Sequence, residues 1–344
     1  MDCPDSRALS EFTTFQIGGP ADSLVVARTE EELVDAVRMA DAESTPVLII
    51  SGGSNMLIAD EGFRGTAVAV ATQGVATHES PIGVTLKVAA GEPWDSVVAL
   101  TVDMGWSGVE MLSGIPGLVG AVPVQNIGAY GAEVASAIAK VQVYDRRTGS
   151  MTSFTHDECH FGYRTSVFKE EHDRYVVLTV YLHLSLGSSS TPIAYAELAR
   201  HLGVDVGAKV PLADARRAVL ELRRGKGMVL DKTDHDTWSA GSFFTNPIID
   251  LTTADSLPLD APRFPQPDGT VKTSAAWLID HAGFHKGYGT PPATLSTKHV
   301  LALTNRGGAR ASDILALART IRDGVRTAYG ITLVPEPTLV GLTL

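Results

Sequence analysis

The stretch Val47-Leu48-Ile49-Ile50-Ser51-Gly52-Gly53-Ser54-Asn55 decides how the first half of this chain is read. Four apolar residues bounded by Pro46 and by glycine predict a short strand buried on both faces. That strand runs straight into a loop in which Gly52 and Gly53 let the backbone approach a neighbour closely, while Ser54 and Asn55 add a hydroxyl and an amide. Such a loop suits a diphosphate, and it equally suits an ordinary strand-to-loop turn. Its spacing is neither G-x-G-x-x-G nor G-x-x-x-x-G-K-[ST], so neither a Rossmann fingerprint nor a P-loop is supported.

Upstream, Thr29-Glu30-Glu31-Glu32 reads as a capping box opening a helix with Leu33, Val37 and Ala40 on one face. Downstream, strands are expected at Ala67–Val70, at Val84–Val88 and at Val141–Tyr144, with a second strand set ending near Val176–Leu184. Helices and strands in this order give an α+β fold. Between Gly105 and Gly131 the chain carries Gly108, Gly114, Gly117, Gly120 and Gly128 besides Pro116 and Pro123, which excludes long regular elements. Ile115, Leu118, Val119, Val122 and Val124 argue against disorder there, and the segment reads as an ordered, ligand-wrapping loop. Leu186 to Pro192 reads as a boundary. Beyond it, helices are predicted at Leu212–Arg224, at Ser274–His281 with a serine cap, and at Ala311–Tyr329 ended by Gly330, followed by a strand at Ile331–Val334.

The length of 344 residues calls for two or three packed units, and 44% hydrophobic with 19% charged residues is ordinary globular usage. A net charge of −11 disfavours nucleic acid and anionic membrane surfaces as partners, so an anionic substrate needs locally placed Lys and Arg. Cys3 and Cys159 form no disulfide framework, which fits a reducing cytoplasm. The start Met1-Asp2-Cys3-Pro4-Asp5 lacks a signal-peptide pattern, no apolar run reaches membrane-spanning length, and no obligatory protein partner is implied. Asp234-His235-Asp236 and the pair His281 and His285 lack a third ligand, so no metal is expected.

Ser51–Leu57, taken with Ser113-Gly114-Ile115-Pro116-Gly117 and Gln125-Asn126-Ile127-Gly128-Ala129-Tyr130-Gly131, resembles the FAD-binding domain of the vanillyl-alcohol-oxidase-like flavoenzymes. More narrowly, it resembles the UDP-N-acetylenolpyruvoylglucosamine reductase family, from Phe12-Thr13-Thr14-Phe15 to Pro335-Glu336-Pro337. The resemblance implies a two-part FAD-binding domain of the vanillyl-alcohol-oxidase/PCMH type (residues 1–65 and 66–187) and a C-terminal α+β substrate-binding domain (188–330). A closing segment (331–344) would carry Glu336 to the site. It implies FAD held by Ser51, Gly52, Gly53, Ser54, Asn55, Ser113, Gly114, Pro116, Gly120, Asn126, Gly128, Tyr130 and Gly131. The binding would be non-covalent, since the first loop offers neither His nor Cys beside its glycines.

Family members reduce an enolpyruvyl ether on a UDP-sugar with NADPH as hydride donor, in the bacterial cytoplasm, for peptidoglycan precursors. Hydride adds to the terminal carbon, charge develops on the neighbouring carbon and its carboxylate, and a proton must arrive. By the resemblance, Arg164 in Phe161-Gly162-Tyr163-Arg164-Thr165-Ser166 stabilises that charge, Glu336 assists it, and Ser242 in Gly241-Ser242-Phe243-Phe244-Thr245-Asn246 donates the proton. Tyr163, Tyr195, Lys226, Asn246 and Lys286 match substrate-binding positions, with Tyr195 on a loop that closes over substrate. Lys298 is a further phosphate lysine, because the link from Gly227 to Trp238 departs from the commoner, shorter pattern. Taken singly, these residues also read as a surface ion-pair arginine, a solvated carboxylate, a backbone-bonding serine and surface lysines. The alternative enzyme, an alcohol or hydroxy-acid oxidase or dehydrogenase on the same FAD domain, needs a base where this chain offers Ser242.

Overall fold

The computed structural model describes residues 8–344, so Cys3 and the N-terminal pentapeptide lie outside the described residues. The chain divides into two compact units. A sheet unit comprises Ala21–Gly52 and Arg64–Gly225, and a three-segment unit comprises the residues up to Pro20, Gly53–Phe63 and Lys226–Leu344.

The sheet unit is built on an antiparallel ladder in the order Ser150–Thr155, Ile138–Asp145, Tyr175–Leu186, Gly83–Ala89 and Val75–Ser80, with Trp106–Ser107 paired to the end of Tyr175–Leu186. Alternation explains which face is inside: Val84, Leu86 and Val88 are buried while Lys87 is exposed. Register then places Val141 opposite Val180, and Val180 opposite Val88, so three buried valines lie side by side across the sheet. Val47–Ile50 pairs parallel with Phe63–Val70 in a second, three-stranded sheet that also contains Ala21–Ala27. The Glu30–Ala42 helix joins that sheet's core through Leu33 and Val37, each full burial stabilising by about 1.5–3 kcal/mol. Its start is the expected capping box, in which Glu32 N–H donates to Thr29 Oγ1 at 3.1 Å and Thr29 N–H to the Glu32 carboxylate at 3.2 Å.

Gly105 to Gly131 forms short turns rather than long elements, pinned by buried Val109, Met111, Leu112, Val119 and Val122. The segment after Leu186 stays with the sheet unit as far as Gly225. The reason is a shared core, in which Met111 packs with Ile193, Leu198 and Ala199, and with Ala215, Ala218 and Val219 of the Leu212–Gly225 helix.

In the three-segment unit, the Ala311–Tyr329 helix buries Ile314, Ala318, Ile321 and Val325, a stripe at helical spacing, in one core with Phe15, Leu57, Phe243 and Phe244. The Ala275–His281 helix starts at Ser274, whose hydroxyl accepts the Trp277 N–H at 3.2 Å. The expected strand at Ile331–Val334 is a correction: that segment joins no ladder, and the strand lies later, at Thr338–Val340, pairing parallel with Met56–Ile58. Among the described residues the segment pairs at one isolated bridge, Phe244 to Pro335, and Pro337, which has no N–H to donate, does not extend it.

Candidate active site

Within the three-segment unit, that single bridge aligns the two segments carrying Ser242 and Glu336. Glu336 N–H donates to the Phe243 carbonyl at 2.9 Å, and Thr245 N–H to the Val334 carbonyl at 3.1 Å. Phe243 and Phe244 are fully buried and stacked edge to face at 5.1 Å, so the backbone between Ser242 and Thr245 is fixed by its own core. Asn55 joins the same strip: its Nδ2 donates to the Glu336 carbonyl at 3.3 Å, and its own carbonyl accepts the Thr338 N–H at 3.0 Å. Ser242, Glu336 and Asn55, singled out separately in the sequence, are thereby held within one short hydrogen-bonded patch. Asn246 has a positioning task, its Oδ1 accepting the Ala275 N–H at 3.0 Å at the start of the Ala275–His281 helix. Lys286 is exposed, and Lys298 forms an ion pair with Asp234. Thr297 and Arg306 both bind the neighbouring Asp236, so the unusual Gly227–Trp238 link is anchored by its own acids. Those contacts hold Asp236 below the usual carboxylate range even though burial alone would raise it.

In the sheet unit, the Arg164 guanidinium donates to the Gly128 carbonyl at 2.9 Å and to the Asn126 carbonyl at 3.3 Å, and lies over the Tyr163 ring. Asn126 is buried and works as a knot. Its Nδ2 donates to Glu133 Oε2 at 2.8 Å and to the Gly162 carbonyl at 3.1 Å, while its Oδ1 accepts the Ala135 N–H at 3.0 Å. Asn126, Tyr130 and Arg164 all sit at positive φ, 43°, 51° and 55°, a conformation costing a side-chain-bearing residue roughly 1–2 kcal/mol. Strain gathered on three neighbouring candidates is the usual mark of a working site. Tyr130 meets Tyr195 edge to face at 5.6 Å, and burial pushes the Tyr130 hydroxyl up to about 12. Tyr195 itself is half exposed and precedes the Ala196–Leu202 helix. Gly131 fits tightly, since a Cβ there would lie 2.9 Å from Ala194 Cβ. Ser113 is buried and donates to the Glu110 carbonyl at 2.6 Å, while Gly114 N–H donates to Asp95.

Ser51 behaves differently from these. Its hydroxyl is buried and finds no hydrogen-bond partner among the described residues, next to Gly120, where an added Cβ would lie 3.3 Å from Ser51 Oγ and 2.8 Å from Ala90 Cβ. At Gly52 a Cβ would come within 2.8 Å of Gly117 Cα. The glycines thus pack one loop onto the other, and a buried hydroxyl is left asking for a polar ligand atom. That arrangement fits a group rich in phosphate and ribose oxygens, as FAD is.

Residues that sequence reasoning missed are the supports: Glu133 under Asn126, Asp95 with Arg216, and Glu110. Glu110 is fully buried, and its carboxylate accepts Gly108 N–H, Thr191 N–H and Thr191 Oγ1.

Similarity to known proteins gives first a class and then a family. Residues 21–155 match the model of an FAD-binding domain family, which makes the chain a flavin-binding one. Residues 232–340 match the C-terminal domain of UDP-N-acetylenolpyruvoylglucosamine reductase. The reductase of that name from Cutibacterium acnes is 55% identical over 340 residues, covering 98% of this chain and 90% of that protein. Its counterpart from Streptomyces coelicolor is 53% identical over 347 residues, with 98% and 90% covered. The crystal structure of UDP-N-acetylenolpyruvylglucosamine reductase from Thermus caldophilus aligns with a TM-score of 0.67 at 27% identity, covering 97% of each chain. The chain belongs to the UDP-N-acetylenolpyruvoylglucosamine reductase family.

Proposed function

We propose that this chain reduces the enolpyruvyl ether of UDP-N-acetylglucosamine to the lactyl ether of UDP-N-acetylmuramate, a step of peptidoglycan precursor synthesis in the bacterial cytoplasm, with NADPH as the electron source. Family membership carries the reaction, and the strip joining Ser242 to Glu336 is the observation that supports assigning its chemistry to named residues. FAD, which Ser51 and the two glycine loops would hold, would supply hydride chemistry at the terminal carbon of the enol ether. The Ser242 hydroxyl then delivers a proton to the adjacent carbon, a transfer that a weak acid can make because the carbanion is strongly basic. Arg164, oriented by the carbonyls of Gly128 and Asn126, stabilises the carboxylate as it takes on enediolate character. Glu336 shares that task, its backbone fixed by Phe243. Tyr163, Tyr195, Lys226, Asn246, Lys286 and Lys298 are the proposed contacts and positioning groups for the UDP-sugar. In this reading the four segments 1–65, 66–187, 188–330 and 331–344 divide flavin binding, substrate binding and the return of Glu336. The net charge of −11 supports a small anion held by local cations rather than a nucleic acid or membrane partner.

The test is a pair of half-reactions on Ser242→Ala. Flavin reduction by NADPH should stay near normal, while reoxidation by the enolpyruvyl UDP-sugar should slow by about 10²–10⁴-fold. Equal losses in both halves would make Ser242 a structural serine.

A further inference from the structure

The first turn of the Trp94–Asp103 helix grips the Leu112–Gly117 segment at three points. Trp94 Nε1 donates to the Leu112 carbonyl at 3.0 Å, Trp94 N–H to the Gly117 carbonyl at 3.0 Å, and Gly114 N–H to the Asp95 carboxylate at 2.6 Å. The two Trp94 bonds fix the ends of the segment, and the Asp95 bond fixes its middle. Asp95 has a second engagement: Arg216 Nη1 and Nη2 reach its two oxygens at 2.6 and 2.9 Å, a bidentate pair formed across 121 residues from the Leu212–Gly225 helix. Burial would raise this carboxylate, but the Arg216 guanidinium and the Gly114 N–H hold it below its usual range, so it is a carboxylate and not an acid at neutral pH. A negative group in the first turn is also favoured by the helix's own dipole.

What Asp95 holds lies next to the first glycine loop. Gly117, at the end of the gripped segment, is the residue that a Cβ at Gly52 would strike, and Gly120, three residues on, faces the unpartnered Ser51 hydroxyl. Chain position at Gly114 therefore sets chain position where the two loops meet. We infer that Asp95 is a positioning residue for the flavin: by accepting Gly114 N–H while braced by Arg216, it fixes the Ser113–Gly117 turn against the first glycine loop. The inference rests on the flavoenzyme reading above.

Three proteins test it: the wild-type holoenzyme, Asp95→Ala and Asp95→Asn. Each is read by the FAD dissociation constant, from flavin fluorescence on dilution, and by the visible absorption band of the bound flavin. The melting temperature of the flavin-stripped protein serves as the control for folding. Asp95→Ala should bind FAD about tenfold more weakly with a shifted band, the expected loss of one charge-assisted bond to backbone. Asp95→Asn, whose amide oxygen still accepts Gly114 N–H, should restore affinity to within about threefold and return the band to its wild-type position. Wild-type affinity and band in Asp95→Ala overturn the inference. If Asp95→Ala does not fold, Asp95→Ser decides, since its shorter side chain no longer reaches Gly114 N–H: wild-type affinity and band in that variant overturn the inference as well. A wild-type protein that holds no FAD would instead sink the flavoenzyme reading itself.

Discussion

Ser51–Asn55 and Ser113–Gly131 are both glycine-rich stretches punctuated by Ser and Asn, and their first residues, Ser51 and Ser113, use their hydroxyls in opposite ways. The longer one spends its polar groups on the protein around it: Ser113 on the Glu110 carbonyl, Asn126 on Glu133, Gly162 and Ala135, and Gly114 N–H on Asp95. The shorter one turns Asn55 onto the Glu336 carbonyl, but it keeps a buried hydroxyl at Ser51 with no partner among the described residues and packs its glycine backbone tightly against neighbours. A glycine loop can thus serve as frame or as contact, and the fate of its side-chain oxygens separates the two.

The sharpest break in this comparison is expected at Gly53. A Cβ there would sit 1.8 Å from the Phe12 carbonyl oxygen, at φ 54°, so Gly53→Ala must displace backbone. We expect a loss of about 3 kcal/mol or more in urea denaturation. Gly241→Ala is the control, since it has a similar φ of 72° with nothing within 4 Å, and it should cost only about 1 kcal/mol. Similar losses in the two variants would mean that conformation alone, and not close approach, governs the first loop.

Asn126→Ala comes next and probes the frame. It removes three bonds from a buried side chain at once, leaving the Glu133 carboxylate, the Gly162 carbonyl and the Ala135 N–H without their Asn126 partner, for an expected loss of about 2 kcal/mol. A denaturation midpoint within about 0.5 kcal/mol of wild type would show that the knot does not hold the loop.

These supports explain how far the sequence could be read. The Thr29 box, the Ser274 cap and the Gly330 stop were legible because caps and helical periods are written within a few residues. Arg164, Ser242 and Glu336 were legible only as parts of a family pattern, for no local rule distinguishes them from surface residues. Asp95 with Arg216, and Glu110 with Thr191, were invisible because their contacts span 121 and 81 residues and leave no periodic trace. Ile331–Val334 misled for a related reason: strand propensity was present, but a ladder needs a neighbouring strand, and local sequence does not say whether one lies alongside. The break after Leu186 looked like a boundary because turn residues mark a loop without saying which core the next helix joins.

The smallest stability effect is expected at Ser51, and it is the one that discriminates best. The Ser51 hydroxyl is buried without a hydrogen-bond partner among the described residues, so in flavin-stripped protein Ser51→Ala should leave stability unchanged or raise it by up to about 1 kcal/mol. Ser113→Ala, which deletes a 2.6 Å bond to the Glu110 carbonyl, should cost about 1 kcal/mol. Flavin affinity should run the other way, about tenfold weaker in Ser51→Ala and near wild type in Ser113→Ala. Measuring both quantities on both variants tests the division between contact and frame directly. If Ser51→Ala lost stability while binding FAD normally, the first loop would be scaffolding too, and the flavin's polar contacts would have to lie elsewhere in the chain.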